Sequence, residues 1–157
     1  MRLTASRPLS FYKRYGPLRY TTTRLQAFFA VLDNLADYRL PEGELSVAFL
    51  DDAAIASVHE RFLNDPSTTD VITFPGDIQM DFAGEICVSV EHARTVGVRC
   101  GNPFPRELAL YLVHGWLHLA GCDDRTPEER SRMRAAERDA FVAIDAANAL
   151  PDFRIVD

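Results

Sequence analysis

His114-Gly-Trp-Leu-His118-Leu-Ala-Gly121-Cys-Asp-Asp124 carries a helix into a turn, and the rest of the chain is best read outward from it. Residues four apart on a helix share one face and stand about 6 Å apart along its axis. The imidazoles of His114 and His118 can therefore reach a single metal ion. Glycine readily takes the left-handed conformation that ends a helix, so Gly121 predicts the stop. The turn it permits can bring Asp124 back towards the same ion.

Upstream, Pro105 suits the first turn of this helix, and Leu108, Leu112, Trp116 and Leu119 run along one side. Downstream, Thr126-Pro-Glu-Glu129 is a capping box that opens a final helix. Met133, Ala136, Ala140 and Ile144 give that helix an apolar stripe to about Ala149. Its Arg130, Arg132, Arg134 and Arg138 alternate with Glu128, Glu129, Glu137 and Asp139, the pattern of a solvated face.

Further from the centre, Thr23 can cap a helix through Leu25, Phe28, Phe29, Leu32 and Leu35, broken at Pro41-Glu-Gly43. Leu45 to Leu50 alternates as a strand, with Asp51 or Asp52 capping a helix through Ile55, Val58 and Phe62. After an Asn64-Asp-Pro-Ser-Thr loop, Val71–Phe74 reads as a strand stopped by Pro75-Gly76. Ala83–Val90 is another strand, and Glu91–Val96 a short helix ended by Gly97. The expectation is an α+β domain, a small mixed α/β arrangement of about four strands and five helices.

A chain of 157 residues, 47% hydrophobic and 25% charged, fits one soluble globular domain. No stretch approaches the roughly 20 apolar residues of a membrane span. The first twenty residues lack a secretory signal's apolar core, so a cytoplasmic location is the default. Scattered Cys87, Cys100 and Cys122 suit free thiols in a reducing compartment. The net charge of −6 argues against broad nonspecific nucleic-acid binding, but the charge is uneven. Residues 1–20 hold Arg2, Arg7, Lys13, Arg14 and Arg19 with no acid, leaving 12 basic against 23 acidic residues elsewhere. With Phe11, Tyr12, Tyr15 and Tyr20 interleaved, this basic segment either contacts phosphates and bases or is a flexible or edge-docked terminus. Residues 21–157 then form the single domain.

Two neutral imidazoles and a carboxylate suit Zn²⁺, with other first-row divalent ions possible. The order of histidines, glycine and third ligand reproduces H-E-x-x-H-x-x-G-x-x-H spacing, a metzincin-like helix. Three protein ligands leave a place for water, whose pKa the ion lowers towards neutrality. Gly115 stands where zinc proteases carry their glutamate base, which turns the reading away from peptide hydrolysis. Cys122 lies inside the segment as a possible ligand or a packing residue in the turn. His59 and His92 have no partner at metal spacing and read as surface or capping residues, and Trp116 as core.

HGWLHLAG is similar to the H-G-x-L-H-L-x-G-Y-D-H signature of the bacterial YbeY family, rRNA maturation factors and metal-dependent endoribonucleases. Thr69-Asp-Val-Ile-Thr-Phe-Pro75 resembles the family's T-D-V-L-S-F-P strand, and Gly84-Glu-Ile86 its G-D-I segment. Glu107 and the pair Met133 and Glu137 also fall in place, so the resemblance spans about residues 45–145. It implies one domain with a zinc ion in a cleft between helices and a sheet. It implies RNA cleavage linked to 16S rRNA 3′-end maturation and ribosome quality control, with rRNA and the small ribosomal subunit as partners. A monomer without organic cofactor is expected.

Mapped onto this chain, the ligands are His114, His118 and Asp124, where the family usually has a third histidine. Asp124 either binds the ion or belongs only to the turn. Asp123 either orients a ligand histidine from outside or caps the turn backbone. Leu63 stands where the family commonly has an arginine facing substrate; Arg61 either substitutes for it or is simply exposed. Thr69, Asp70 and Thr73 either line the cleft or make ordinary strand and turn hydrogen bonds. These departures keep a second reading open, a non-catalytic ribosome assembly factor in which the metal holds the fold.

Overall fold

A computed structural model describes residues 6–64 and 69–156. Arg2 and the loop expected over residues 65–68 lie outside the described residues. In chain order the elements are β1 (Leu9–Lys13), β2 (Leu18–Arg19), α1 (Thr22–Asp33), β3 (Glu44–Leu50), α2 (Asp52–Leu63) and β4 (Val71–Asp77). A 3₁₀ turn (Ile78–Met80) precedes β5 (Phe82–Ser89), α3 (Val90–Cys100), α4 (Phe104–Leu119), α5 (Pro127–Ala146) and β6 (Arg154–Ile155). The main sheet has the order β1-β3-β5-β4, with β1, β3 and β5 parallel and β4 antiparallel at one edge. The α+β expectation of four strands and five helices holds for this sheet, to which β2 and β6 add a two-stranded ribbon.

Alternation along the strands puts one set of side chains on each face. Leu45, Val47, Phe49, Ile86 and Val88 meet Phe28, Phe29, Leu112, Trp116, Ala140 and Ile144 in the larger core. On the other face Ala48, Leu50, Ile72 and Cys87 pack with Ile55 of α2. The sheet is thereby sandwiched, and its β4 edge is left beside α4.

Several boundaries differ from the sequence expectation for identifiable reasons. Pro75 does not stop β4, because an edge strand tolerates a residue with no N–H to donate. Gly97 does not end α3. It is buried within that helix, where a Cβ would lie 2.8 Å from the Asn102 carbonyl, and Gly101 (φ +69°) supplies the stop. α3 begins at Val90, one residue before the expected Glu91, and Ser89 caps it by accepting the His92 N–H. α1 starts at Thr22, and the Thr21 hydroxyl donates to Asp152 instead of capping. α5 ends at Ala146, short of Ala149.

From residue 7 to residue 20 the basic segment is integrated into the fold. β1 pairs in register with β3, and Leu18 is fully buried. Arg7 donates to Asp33 at 2.8 Å and to the Pro41 and Gly43 carbonyls, while Lys13 holds the Leu18 carbonyl. Phe11 and Tyr20 pack with Phe29, Phe49 and Phe153. Residues 9–20 are thus docked at the edge of the sheet.

Candidate metal centre

Pro105 lies in the first turn of α4, and an apolar stripe from Leu108 to Leu117 buries the helix against the sheet. Its C-terminus closes as a Schellman turn. The Cys122 N–H donates to the Leu117 carbonyl at 2.9 Å, and the Gly121 N–H to that of His118 at 3.0 Å. Gly121 has φ +102°, a conformation other residues rarely adopt. This turn returns Asp124 to the face that bears the histidines.

His114 Nε2 lies 3.0 Å from His118 Nε2, and Asp124 Oδ2 lies 3.4 Å from each. Ligand atoms 2.0–2.2 Å from a tetrahedral ion stand about 3.3–3.6 Å apart. The observed triangle is therefore close to the span of three corners around one small cation. Its donors, two ring nitrogens and a carboxylate oxygen, are the types that a first-row divalent ion takes. Cys122 is outside the triangle and packs against the core.

Behind His114, its Nδ1 stands 2.8 Å from Glu137 Oε2, and Arg134 donates to Glu137 Oε1 at 2.9 Å. Burial works against the His114 cation, but the Glu137 hydrogen bond and charge, aided by Asp70 and Asp124, hold its pKa above the ordinary value. Burial likewise pushes Glu137 upward, yet the hydrogen bonds from His114 and Arg134 prevail and hold it below the usual carboxylate range.

The triangle opens into a cleft of about 310 Å³ walled by His59, Leu63, Thr69, Asp70, Val71, Ile72 and Thr73. Thr69, Asp70 and Thr73 are thus on the wall. Asp70 also accepts the Val71 N–H at 2.8 Å and the Thr69 hydroxyl at 3.3 Å, so it orders the start of β4 as well. Arg61 is exposed on α2 and is not part of the wall. Asp123 is exposed and hydrogen-bonds neither histidine; the carboxylate behind His114 is Glu137. His59, read from sequence as a surface residue, borders the cleft. The sequence signal for Glu137 was an acid inside the apolar stripe of α5, four residues after Met133.

Residues 18–145 match the family described as Endoribonuclease YbeY. A protein of that name from an Exiguobacterium species is 34% identical over 136 residues, covering 77% of this chain and 86% of its own. The chain belongs to the YbeY family. Another YbeY relative, from Chlamydia felis, is 35% identical over 128 residues, covering 76% and 81% of the two chains. The relative from Rhodopirellula baltica reaches 39% over 119 residues, 74% of this chain and 61% of that one. The solution structure of TM1509 from Thermotoga maritima shares the fold, with a TM-score of 0.56 at 19% identity over 90% of this chain and 94% of that one.

Proposed function

We propose that this chain is a zinc-dependent endoribonuclease that cleaves ribosomal RNA, acting at the 3′ end of 16S rRNA and in ribosome quality control in the cytoplasm. The observation that carries the reading is the triangle of His114 Nε2, His118 Nε2 and Asp124 Oδ2, with sides of 3.0, 3.4 and 3.4 Å at the end of a cleft. Membership of the YbeY family supports RNA as the substrate.

In this reading His114, His118 and Asp124 hold one zinc ion, with another first-row divalent ion as the alternative occupant. The ion supplies Lewis acidity, drawing charge from a phosphate oxygen and making an attacking water more acidic. Glu137 keeps a proton on His114 Nδ1, which leaves the Nε2 lone pair directed at the centre. Thr69, Thr73 and His59 are on the wall where an RNA backbone would run. The protein acts on the small ribosomal subunit as a monomer.

One observation favours the second reading, an assembly factor that binds rRNA without cutting it. Among the described residues, no lysine or arginine lines the cleft, and Leu63 is on its wall. His114→Ala separates the two. Loss of RNA cleavage with folding and RNA binding intact supports the nuclease. Wild-type protein that binds metal stoichiometrically, cleaves no ribosomal precursor, and unfolds on His114→Ala supports the structural role.

A further inference from the structure

A carboxylate buried among apolar neighbours is a poor choice for stability, since a hydrophobic residue of similar volume often serves as well or better. Glu137 is such a group. It is 5% exposed on the face of α5 that otherwise carries Met133, Ala136, Ala140 and Ile144. Its two oxygens are divided, Oε2 facing His114 Nδ1 at 2.8 Å and Oε1 accepting from Arg134 at 2.9 Å. His118 is treated differently: its Nε2 faces His114 and Asp124, and its Nδ1 has no hydrogen-bond partner among the described residues. The two histidines are therefore unequal before any ion arrives.

We infer that Arg134, Glu137 and His114 form a positioning relay that fixes His114 as the Nδ1–H tautomer and thereby sets the affinity of the metal centre. This deepens the reading above and rests on it for the identity of the centre. Arg134, 64% exposed, holds Glu137 at one oxygen, so the carboxylate keeps the other for His114. His114 is thereby presented to the centre in a fixed orientation, which His118 is not. The outer end of the relay borders a groove of about 430 Å³ between α4 and α5, which Arg106 and Arg138 also line. The relay can therefore be altered from that side without touching the cleft.

The test uses metal-free protein first. Two-dimensional ¹H–¹⁵N spectra recorded where His114 is neutral should show the Nδ1–H form in wild type and a mixed or Nε2–H form in Glu137→Ala. Competition with a chromophoric chelator should then show zinc affinity falling about 10–100-fold in Glu137→Ala, the usual effect of removing a ligand's outer partner. Glu137→Gln keeps an oxygen for Nδ1–H and should retain the wild-type tautomer with intermediate affinity; it also serves if the alanine variant fails to fold. Arg134→Ala should weaken zinc binding less than Glu137→Ala. An unchanged tautomer and affinity in both Glu137 variants overturns the relay. Wild type with the Nδ1–H form that binds another first-row divalent ion in place of zinc, with the same dependence on Glu137, leaves the relay standing and overturns the zinc-nuclease reading instead.

Discussion

Gly115 and Ile86 are in contact through the space that a side chain would fill. A Cβ on Gly115 would lie 2.7 Å from Ile86 Cγ2, with the Val71 and Thr73 methyl carbons at 3.1 and 3.2 Å. The position that bears a catalytic glutamate in zinc proteases is, in this fold, where α4 presses on β4 and β5. The absence of a carboxylate there is a steric requirement of the packing as well as a chemical difference.

Gly115→Ala should destabilise the protein. Overpacking costs about 1–3 kcal/mol, against up to about 1 kcal/mol gained by alanine in a helix interior. The expected result is a lower urea midpoint with an unchanged slope. A raised midpoint would show that the sheet yields freely and that the contact does not set the helix position.

Asp124 should behave as a ligand. Asp124→Ala should lower zinc affinity by more than the roughly 10–100-fold that follows loss of an outer partner, while Asp124→His should restore tight binding. Elemental analysis after gel filtration reads this directly. Equal metal content in wild type and Asp124→Ala would remove Asp124 from the centre.

The His114–Glu137 pair gives stability and metal binding opposite responses to pH. In metal-free protein His114 titrates above its usual 6.5, so its stabilisation is full below that value and is lost as pH rises through the folded pKa. Glu137 titrates below its usual 4.5, so its share is full above that value and is lost as pH falls through the folded pKa. Thermal stability of the metal-free protein should thus decline as pH is raised past the His114 transition. Zinc affinity should climb over the same range by about tenfold per pH unit for each proton displaced. Metal-free stability that rises through this interval contradicts the assignment.

Leu63, 56% exposed and on the cleft wall, is the place to add the missing cation. Leu63→Arg should tighten RNA binding and steepen its salt dependence by about 0.7 in logarithmic slope for one added contact to single-stranded RNA. Fluorescence anisotropy at several salt concentrations measures both. Unchanged binding would mean that the RNA backbone does not pass this wall.

Much of the centre was legible from the chain because its causes are local. The four-residue spacing of His114 and His118, the Gly121 turn and the return of Asp124 follow from helix geometry and one glycine's conformational freedom. Boundaries were less legible where a partner decided them. Gly97 reads as a stop but is buried within α3 at its contact with α4, and Pro75 reads as a break but is carried by a strand at the sheet edge.

Sequence alone determined the mixed α and β pattern, the convergence of His114, His118 and Asp124, and the absence of a protease glutamate between the histidines. Tertiary structure alone decided that residues 9–13 join the sheet, that His59 borders the cleft, and that Glu137 stands behind His114. Glu137 is 23 residues from His114 in the chain, and no local periodicity relates them. Their meeting depends on how α5 packs across α4, where a buried acid needs partners that only the assembled core can supply.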